Sequence, residues 1–382
     1  MTLRNGAAIA GVAESRLGVV PGATVLTLQA EAAHAALADA GLTKSDVDAV
    51  FCAGRWGRTN LLEVSEYLGI QPQFADGTNV GGASFVYHLG HAAAAIQAGL
   101  CKVALILYGS TQRSRQERSL SVGDHKLAFQ YEGPFGLPSP VGGYALAAAR
   151  HMAVHGTTRA QLAEVAVAAR QWAALNPAAY KRAPLSLDDV LAAPPVSEPL
   201  HRLDCCLVTD GGGAVVVVAP DIARTLPKPP IWIRGYGEAL THMVISQMPD
   251  ILQSPAAAAG SRAFLMAGMQ ASDIDVAQIY DSFTITVLLT LEALGFCRPG
   301  HAGAFVADGR IAPGGELALN TSGGGLSYCH PGMFGIFLII EAVRQLRGEC
   351  GPRQAPRHGN ALVSATGAVL SSNATCILER TS

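Results

Sequence analysis

Short apolar runs alternate with longer alanine-rich stretches along the first hundred residues, a rhythm that predicts strands separated by helices. Ala7 to Ala13, broken only by Gly11, reads as a first strand. Thr24 to Ala40 follows as an Ala-rich helix closed by Gly41, a good left-handed cap. Val47 to Cys52 reads as a second strand, Leu61 to Leu68 as a short helix, and Phe85 to Ala98 as a helix closed by Gly99. Lys102 to Tyr108 is apolar at nearly every position, the mark of a strand covered on both faces. From 111 to 200 the rhythm breaks. A polar stretch with Arg113, Arg115, Arg118 and Lys126 leads into the irregular Glu132–Pro140 segment, then helices at Gly143 to Val154 and Thr158 to Ala174. The second of these opens with Thr158-Arg-Ala-Gln161, a capping-box pattern. Asp210 to Val218 returns to a strand, so 111–200 reads as an insertion lying over a layered α/β core.

The pattern also repeats. Ala40-Gly-Leu-Thr-Lys-Ser-Asp-Val-Asp48 matches Ala267-Gly-Met-Gln-Ala-Ser-Asp-Ile-Asp275, and both follow an Ala-rich helix and precede an apolar run. Asn79-Val-Gly-Gly82 has a looser partner in Asn320 to Gly324, with one extra residue. Two matches in the same order predict two related βαβ halves, residues 1–225 and 226–382, with the insertion in the first.

The candidate chemistry concentrates in Asn320-Thr-Ser-Gly-Gly-Gly-Leu-Ser-Tyr-Cys-His-Pro-Gly-Met-Phe-Gly335. Consecutive glycines at 323–325 allow a sharp turn and close backbone approach, so Gly324 is a candidate ligand contact. Ser327, Tyr328 and His330 are the next polar side chains, and a buried helix follows Gly335. The arrangement predicts an imidazole delivered to a helix N-terminus, where negative charge is favoured. Cys329 beside His330 invites a dyad, but neighbouring residues on a chain point apart. Asp281 is placed either to orient a neighbouring group or, as expected here, to cap the helix after it, and His88 and His91 sit on an apolar helix as core or interface residues.

Composition narrows the class. The 382 residues are 49% hydrophobic and 15% charged, with 42 glycines and a net charge of −2. Nothing here provides a nucleic-acid or anionic-membrane footprint. The apolar runs are too short to span a bilayer. The first twenty residues hold Arg4, Glu14 and Arg16 and no signal-peptide core, which points to the cytoplasm. None of the eight cysteines forms a Cys-x-x-Cys pair, which argues against a zinc site and for buried free thiols. A mean hydropathy of +0.28 is high for a monomer of this size.

Cys329-His330-Pro331 after Gly323-Gly-Gly resembles the Gly-His-Pro signature of the thiolase superfamily, and the duplicated layout resembles its fold, five layers of α-β-α-β-α. The thiolase nucleophilic Cys position falls on Gly82, and Ser84 is the nearest hydroxyl. The second catalytic Cys is missing from Ala365-Thr-Gly-Ala-Val369, and the Asn-Glu-Ala-Phe motif reads Tyr280-Asp-Ser-Phe-Thr284. These departures resemble the branch of thiolase-like acyl-CoA aldolases, or lyases, that cleave side chains of steroids and similar acids. The likeness extends through Asn176-Pro177, Asp204-Cys-Cys206 and Glu341 to Arg347. Some members carry a second Tyr where this chain has His330.

The resemblance implies retro-aldol cleavage of a 3-hydroxyacyl-CoA with Tyr280 and His330 as catalytic residues. Backbone N–H groups around Gly82 and Gly367 would meet the enolate, and the basic cluster would meet the coenzyme A part of the substrate. It implies no separate cofactor and no metal. It also implies a homodimer and a small OB-fold, zinc-ribbon partner protein. An acyltransferase working without the usual Cys and a non-catalytic scaffold subunit share the same expected fold.

Overall fold

The computed structural model describes residues 2–54, 59–115, 127–137 and 139–380. Ten strands form its main sheet: β1 (Ala8–Glu14), β2 (Ala49–Cys52), β3 (Phe74–Asp76), β4 (Val103–Ser110), β5 (Gly211–Val218), β6 (Ile231–Leu240), β7 (Val276–Ile279), β8 (Ala318–Leu319), β9 (Asn360–Gly367) and β10 (Ser372–Arg380). The longer helices are α1 (Val25–Ala40), α2 (Asn60–Leu68), α3 (Ser84–Gln97), α4 (Val141–His155), α5 (Arg159–Ala174), α6 (Ala256–Ala267), α7 (Thr284–Ala293) and α8 (Gly335–Arg347).

The strand order, β8-β7-β9-β10-β6-β1-β5-β4-β2-β3, reads alike from both ends. In each half an antiparallel set of three continues into a parallel set: β1-β5-β4 then β2-β3, and β6-β10-β9 then β7-β8. Ala8 pairs with Trp232 and Ile9 with Ile231 where β1 and β6 join the halves.

Burial follows the strand alternation. In β4, Ala104, Ile106 and Tyr108 face a core shared with α3 and α8. Val103, Leu105 and Leu107 face a second core with α1. That two-sided burial is why the run is apolar throughout. Helices α3 and α8 touch strands of both halves, α1 lies outside one half and α6 outside the other. The result is the expected five-layer α-β-α-β-α stack.

The sequence repeat is repeated structure. Gly41 and Gly268 both cap their helices in the left-handed region, at φ 73° and 67°. A short 3-10 turn follows each, with Asp46 accepting Thr43 N–H at 2.8 Å and Asp273 accepting Gln270 N–H at 2.9 Å. Then come β2 and β7. Packing repeats too: a Cβ on Gly11 would lie 2.1 Å from Ala36 O, and one on Gly235 would lie 2.2 Å from Ala263 O. Only glycine lets α1 and α6 press this closely on the first strand of each half.

The 111–200 segment is more than a cover. Its α5, capped by Thr158 and Gln161, packs on the glycine-rich stretch at 324–328. Among the described residues no helix is long and apolar enough to cross a membrane.

Candidate active site

Four segments converge between the halves. From the first half comes the Gly81–Ala83 turn at the start of α3. From the second come the end of β7 at Tyr280, the 320–335 stretch, and the turn between β9 and β10. Each glycine-rich turn is pinned by its asparagine. Asn79 Nδ2 donates to Gly54 O at 2.8 Å, just past β2, while Asn320 Oδ1 accepts Ile279 N–H at 2.8 Å, in β7.

At the centre Tyr280 Oη and His330 Nε2 are 2.9 Å apart. Both side chains are buried, Tyr280 at 5% exposure and His330 at 9%. Phe334 N–H donates to Tyr280 Oη at 3.0 Å, and Phe334 is the N-cap of α8. The helix N-terminus therefore meets the phenol rather than the imidazole expected there. His330 reaches it through Tyr280, because 331–334 must first turn the chain. The backbone of His330 is held from both sides by Thr209: Oγ1 accepts its N–H at 3.1 Å, and Thr209 N–H donates to its carbonyl at 3.2 Å.

Burial keeps both groups neutral. It pushes the His330 imidazole down to about 4 and the Tyr280 phenol well above its ordinary value. Cys329 is likewise held as a thiol by burial, which removes the Cys–His dyad. Tyr328 points away and donates to Glu14 Oε1 at 2.7 Å, where Arg344 also binds.

Gly82 lies directly against Tyr280. A Cβ at 82 would stand 2.4 Å from Cε2, 2.7 Å from Cζ and 2.7 Å from Oη of the phenol. The space next to residue 82, which a thiolase gives to its nucleophile, is filled here by the phenol. Ser84 is no substitute, since its Oγ donates to Gly81 O at 2.6 Å and accepts Val80 N–H at 3.0 Å as a turn cap. Gly367 packs against the same turn, with Val80 O only 1.8 Å from where its Cβ would be. The backbone around Gly82 and Gly367 is thus brought together beside Tyr280. At Gly324 the side-chain space is taken by Asp281 Oδ2, 2.1 Å from an added Cβ.

Asp281 is the residue that sequence reasoning undervalued. It does not cap α7, whose N-cap Phe283 has no side-chain bond. Its carboxylate instead accepts Gly325 N–H at 2.7 Å and Leu326 N–H at 3.2 Å. The reason is geometric: the end of β7 turns the side chain across to the neighbouring turn, not forward along its own helix. Its place beside Tyr280, as the one charged residue between Asp275 and Glu292, was the available signal.

Motifs far apart in sequence form the supporting frame. Asp204 accepts Thr284 Oγ1 at 2.9 Å, and Cys206 N–H donates to Ser282 O at 3.0 Å, fixing the segment after Tyr280. Asn176 Nδ2 donates to Ser322 O and Arg170 Nε to Ser327 Oγ, each at 2.9 Å. Tyr144 Oη donates to Ala368 O at 3.0 Å. Glu341 accepts Thr321 Oγ1 at 2.7 Å and two bonds from Arg353, so this motif is a brace. His88 is a core residue with Nε2 on Thr78 O, and burial pushes it down to about 4. His91 bridges Asp76 and Glu238, which join the two halves.

An open cleft of about 800 Å³ is lined by Val19, Pro21, Gln112, Arg113, Arg115 and Val208, among others. Arg113 and Arg115 are exposed at its lip. Buried Asp210 fastens both walls, accepting Val20 N–H at 2.9 Å, Arg113 N–H at 2.8 Å and Ser114 N–H at 2.9 Å. Val208 is the chain neighbour of Thr209, whose N–H donates to the His330 carbonyl, so the cleft lies beside the segment that carries His330. Arg118 and Lys126 lie outside the described residues. Among the described residues no three His, Cys, Asp or Glu side chains are grouped to hold a metal ion.

Comparison with known proteins gives the family. Residues 237–380 match the family described as thiolase C-terminal domain-like. A steroid side-chain-cleaving aldolase of Thermomonospora curvata is 38% identical over 365 residues, covering 91% of each chain. A 17-hydroxy-3-oxo-4-pregnene-20-carboxyl-CoA lyase of Mycobacterium tuberculosis is 35% identical, covering 90% of this chain and 92% of the relative. A solved structure described as Ltp2-ChsH2(DUF35) aldolase superposes with a TM-score of 0.91 at 34% identity, covering 99% and 98% of the two chains. Human mitochondrial 3-ketoacyl-CoA thiolase shares the fold, with a TM-score of 0.74 at 18% identity over the full length of both. The chain belongs to the thiolase superfamily, in its acyl-CoA aldolase branch of carbon–carbon lyases.

Proposed function

We propose that this enzyme cleaves the C2–C3 bond of a 3-hydroxyacyl-CoA by a retro-aldol step in steroid or similar side-chain degradation, with His330 as base and Tyr280 as proton donor. The observation that carries the reading is the 2.9 Å contact between Tyr280 Oη and His330 Nε2, with the phenol filling the space beside Gly82. The base takes the proton of the C3 hydroxyl. The C2–C3 electron pair moves onto the thioester as an enolate, and C3 becomes a ketone or aldehyde carbonyl. Tyr280 then protonates C2, and the imidazolium returns its proton to the phenolate. No proton is gained or lost overall. In a buried pair a net charge on either partner is costly, so passing the proton between them avoids stranding it. Phe334 N–H at the start of α8 supports Tyr280 Oη as its proton leaves. Backbone N–H groups around Gly82 and Gly367 take the enolate oxygen. With no side chain at 82, no acyl-enzyme forms, and an acyl adduct in the intact mass of quenched enzyme would contradict this.

Arg113 and Arg115 at the cleft lip hold the phosphates of coenzyme A. Exchanging both for Glu should raise KM for the acyl-CoA about tenfold, equal to one charge-assisted contact, with kcat nearly unchanged. An unaltered KM removes them from the site. The enzyme works as a homodimer in the cytoplasm, with its two halves divided near 225/226 and a small OB-fold, zinc-ribbon partner. That partner has support in the paired name of the Ltp2-ChsH2(DUF35) relative. A fully active monomer in sedimentation would sink the assembly.

The deciding experiment is mass-spectrometric product analysis with 3-hydroxyacyl-CoAs of long and short acyl chains. A carbonyl product plus a shortened acyl-CoA is expected. Turnover that requires an acyl acceptor marks an acyltransferase, and no turnover with any of them, partner present, marks a scaffold subunit.

A further inference from the structure

Asp281 follows Tyr280 in the chain, yet the proton transfers above make no use of it. Its side chain is fully buried. The two carboxylate oxygens take consecutive N–H groups of the turn that leads to His330, Gly325 at 2.7 Å and Leu326 at 3.2 Å. A Cβ on Gly325 would lie 3.1 Å from Asp281 Oδ1 and 3.3 Å from His330 Cδ2. Carboxylate, glycine backbone and imidazole edge are therefore packed together, and a side chain at 325 would crowd both neighbours. The turn is held elsewhere by Arg170 on Ser327 Oγ and by Gly325 O accepting Leu207 N–H at 2.8 Å.

We infer that Asp281 is a positioning residue for the lyase reaction: by gripping the N–H groups of Gly325 and Leu326 it sets His330 Nε2 against Tyr280 Oη. The inference rests on the reading of Tyr280 and His330 as the acid–base pair. A carboxylate is suited to the task because it accepts two N–H groups at once with charge-assisted bonds. Asparagine, of the same shape, offers one acceptor and one donor, and its NH₂ would oppose an N–H.

The grip is also poised to respond to pH. Burial pushes the Asp281 carboxyl up to about 7, against the backbone bonds that favour its ionised form. The ionisable groups on the elements around it are Tyr280 on its own segment, Asp204 and Cys206 on the segment bonded to Ser282 and Thr284, Tyr144 on α4, Arg170 on α5, and Cys329 and His330 beyond the turn. Arg170 spends its guanidinium on Ser327 Oγ and Ala183 O, not on this carboxylate. Protonation near neutrality removes one acceptor and loosens the turn.

The test is Asp281→Asn in the full-length chain, with a 3-hydroxyacyl-CoA that the wild type cleaves. The expected result is a fall in kcat of about 10²-fold with KM within about twofold, the effect of a small misplacement of a catalytic group. The acid limb of the wild-type kcat profile near pH 7 should vanish in the variant. The imidazole ¹⁵N resonances of His330 should shift between wild type and variant without substrate. An unchanged kcat and pH profile overturns the inference, and so does a loss shared equally by kcat and KM, which marks a merely structural role. If the variant does not fold, the wild type decides alone: a kcat flat between pH 6 and 8 overturns it. If the wild type cleaves none of the thioesters, the functional reading falls. The positioning role is then judged by the His330 resonances, and identical spectra overturn it.

Discussion

The two glycine-rich turns at the heart of the molecule occupy equivalent places in the two halves but do different work. The first, at 79–83, passes straight into α3 and carries no reactive side chain. The second, at 320–330, takes an extra turn at 324–328 before α8 and delivers His330. Tyr280 also belongs to the second half, and its counterpart after β2 is the bare Ala53-Gly54. One half therefore supplies shape and backbone, the other the side chains. The halves are coupled because the emptiness of the first, at Gly82, is what the phenol of the second fills. After duplication, one copy has become the mould and the other the tool.

The hardest blow to this division is to disarm the second half. Tyr280→Phe and His330→Ala should each lower kcat by about 10²-fold or more, with folding and acyl-CoA binding kept. The double variant should lose far less than the product, because the two act as a unit. Steady-state kinetics on the three variants checks it, and near-native turnover in either single variant removes that residue from the chemistry.

Giving the first half a side chain should come next. Gly82→Ala forces a methyl within 2.7 Å of the Tyr280 ring. Turnover should drop roughly 10- to 100-fold with a stability loss of about 1–3 kcal/mol from overpacking. Denaturant melts and kinetics together report it, and a variant as active as wild type would show that the phenol has room to spare.

The paired asparagines sharpen the contrast. Asn320 is buried with φ 51°, while Asn79 is exposed. Asn320→Ala should cost about 1–3 kcal/mol and much of the activity, since a buried N–H loses its acceptor. Asn79→Ala should stay within about 1 kcal/mol and leave kcat nearly intact. Equal effects at both positions would mean the turns bear equal functional load.

The smallest effect is in pH-dependent stability. Asp281, raised to about 7 from an unfolded value near 3.9, contributes stability that is present in full at low pH and lost as pH rises through 7. His330, lowered to about 4 from about 6.5, acts oppositely, and its contribution is lost as pH falls from about 6.5 to 4. Relative to Asp281→Asn, the wild type should therefore gain a few degrees of Tm between pH 8 and 5. Relative to His330→Ala, it should lose ground between pH 6.5 and 4. Thermal melts across that range measure both.

Local pattern alone placed much of the fold. Capping glycines at 41 and 268, the Thr158 capping box and the two-faced apolar run of β4 are written in neighbouring residues, so the sequence determined the elements and their duplication. It also put His330 forward, because glycine spacing and a His-Pro pair leave a local trace, whereas Tyr280 came only from the resemblance of its motif to the aldolase branch. Which groups actually touch was decided by the tertiary structure. The phenol, not the imidazole, sits at the start of α8, and Asp281 reaches across to Gly325 rather than along its own helix. Asn176, Arg170 and Tyr144, from the segment that broke the pattern, turn out to clamp the turns of the site. Those contacts join residues more than forty apart in the chain, up to 224 for Tyr144 and Ala368. Their geometry is set by how ten strands and their helices stack, and no window of sequence contains it.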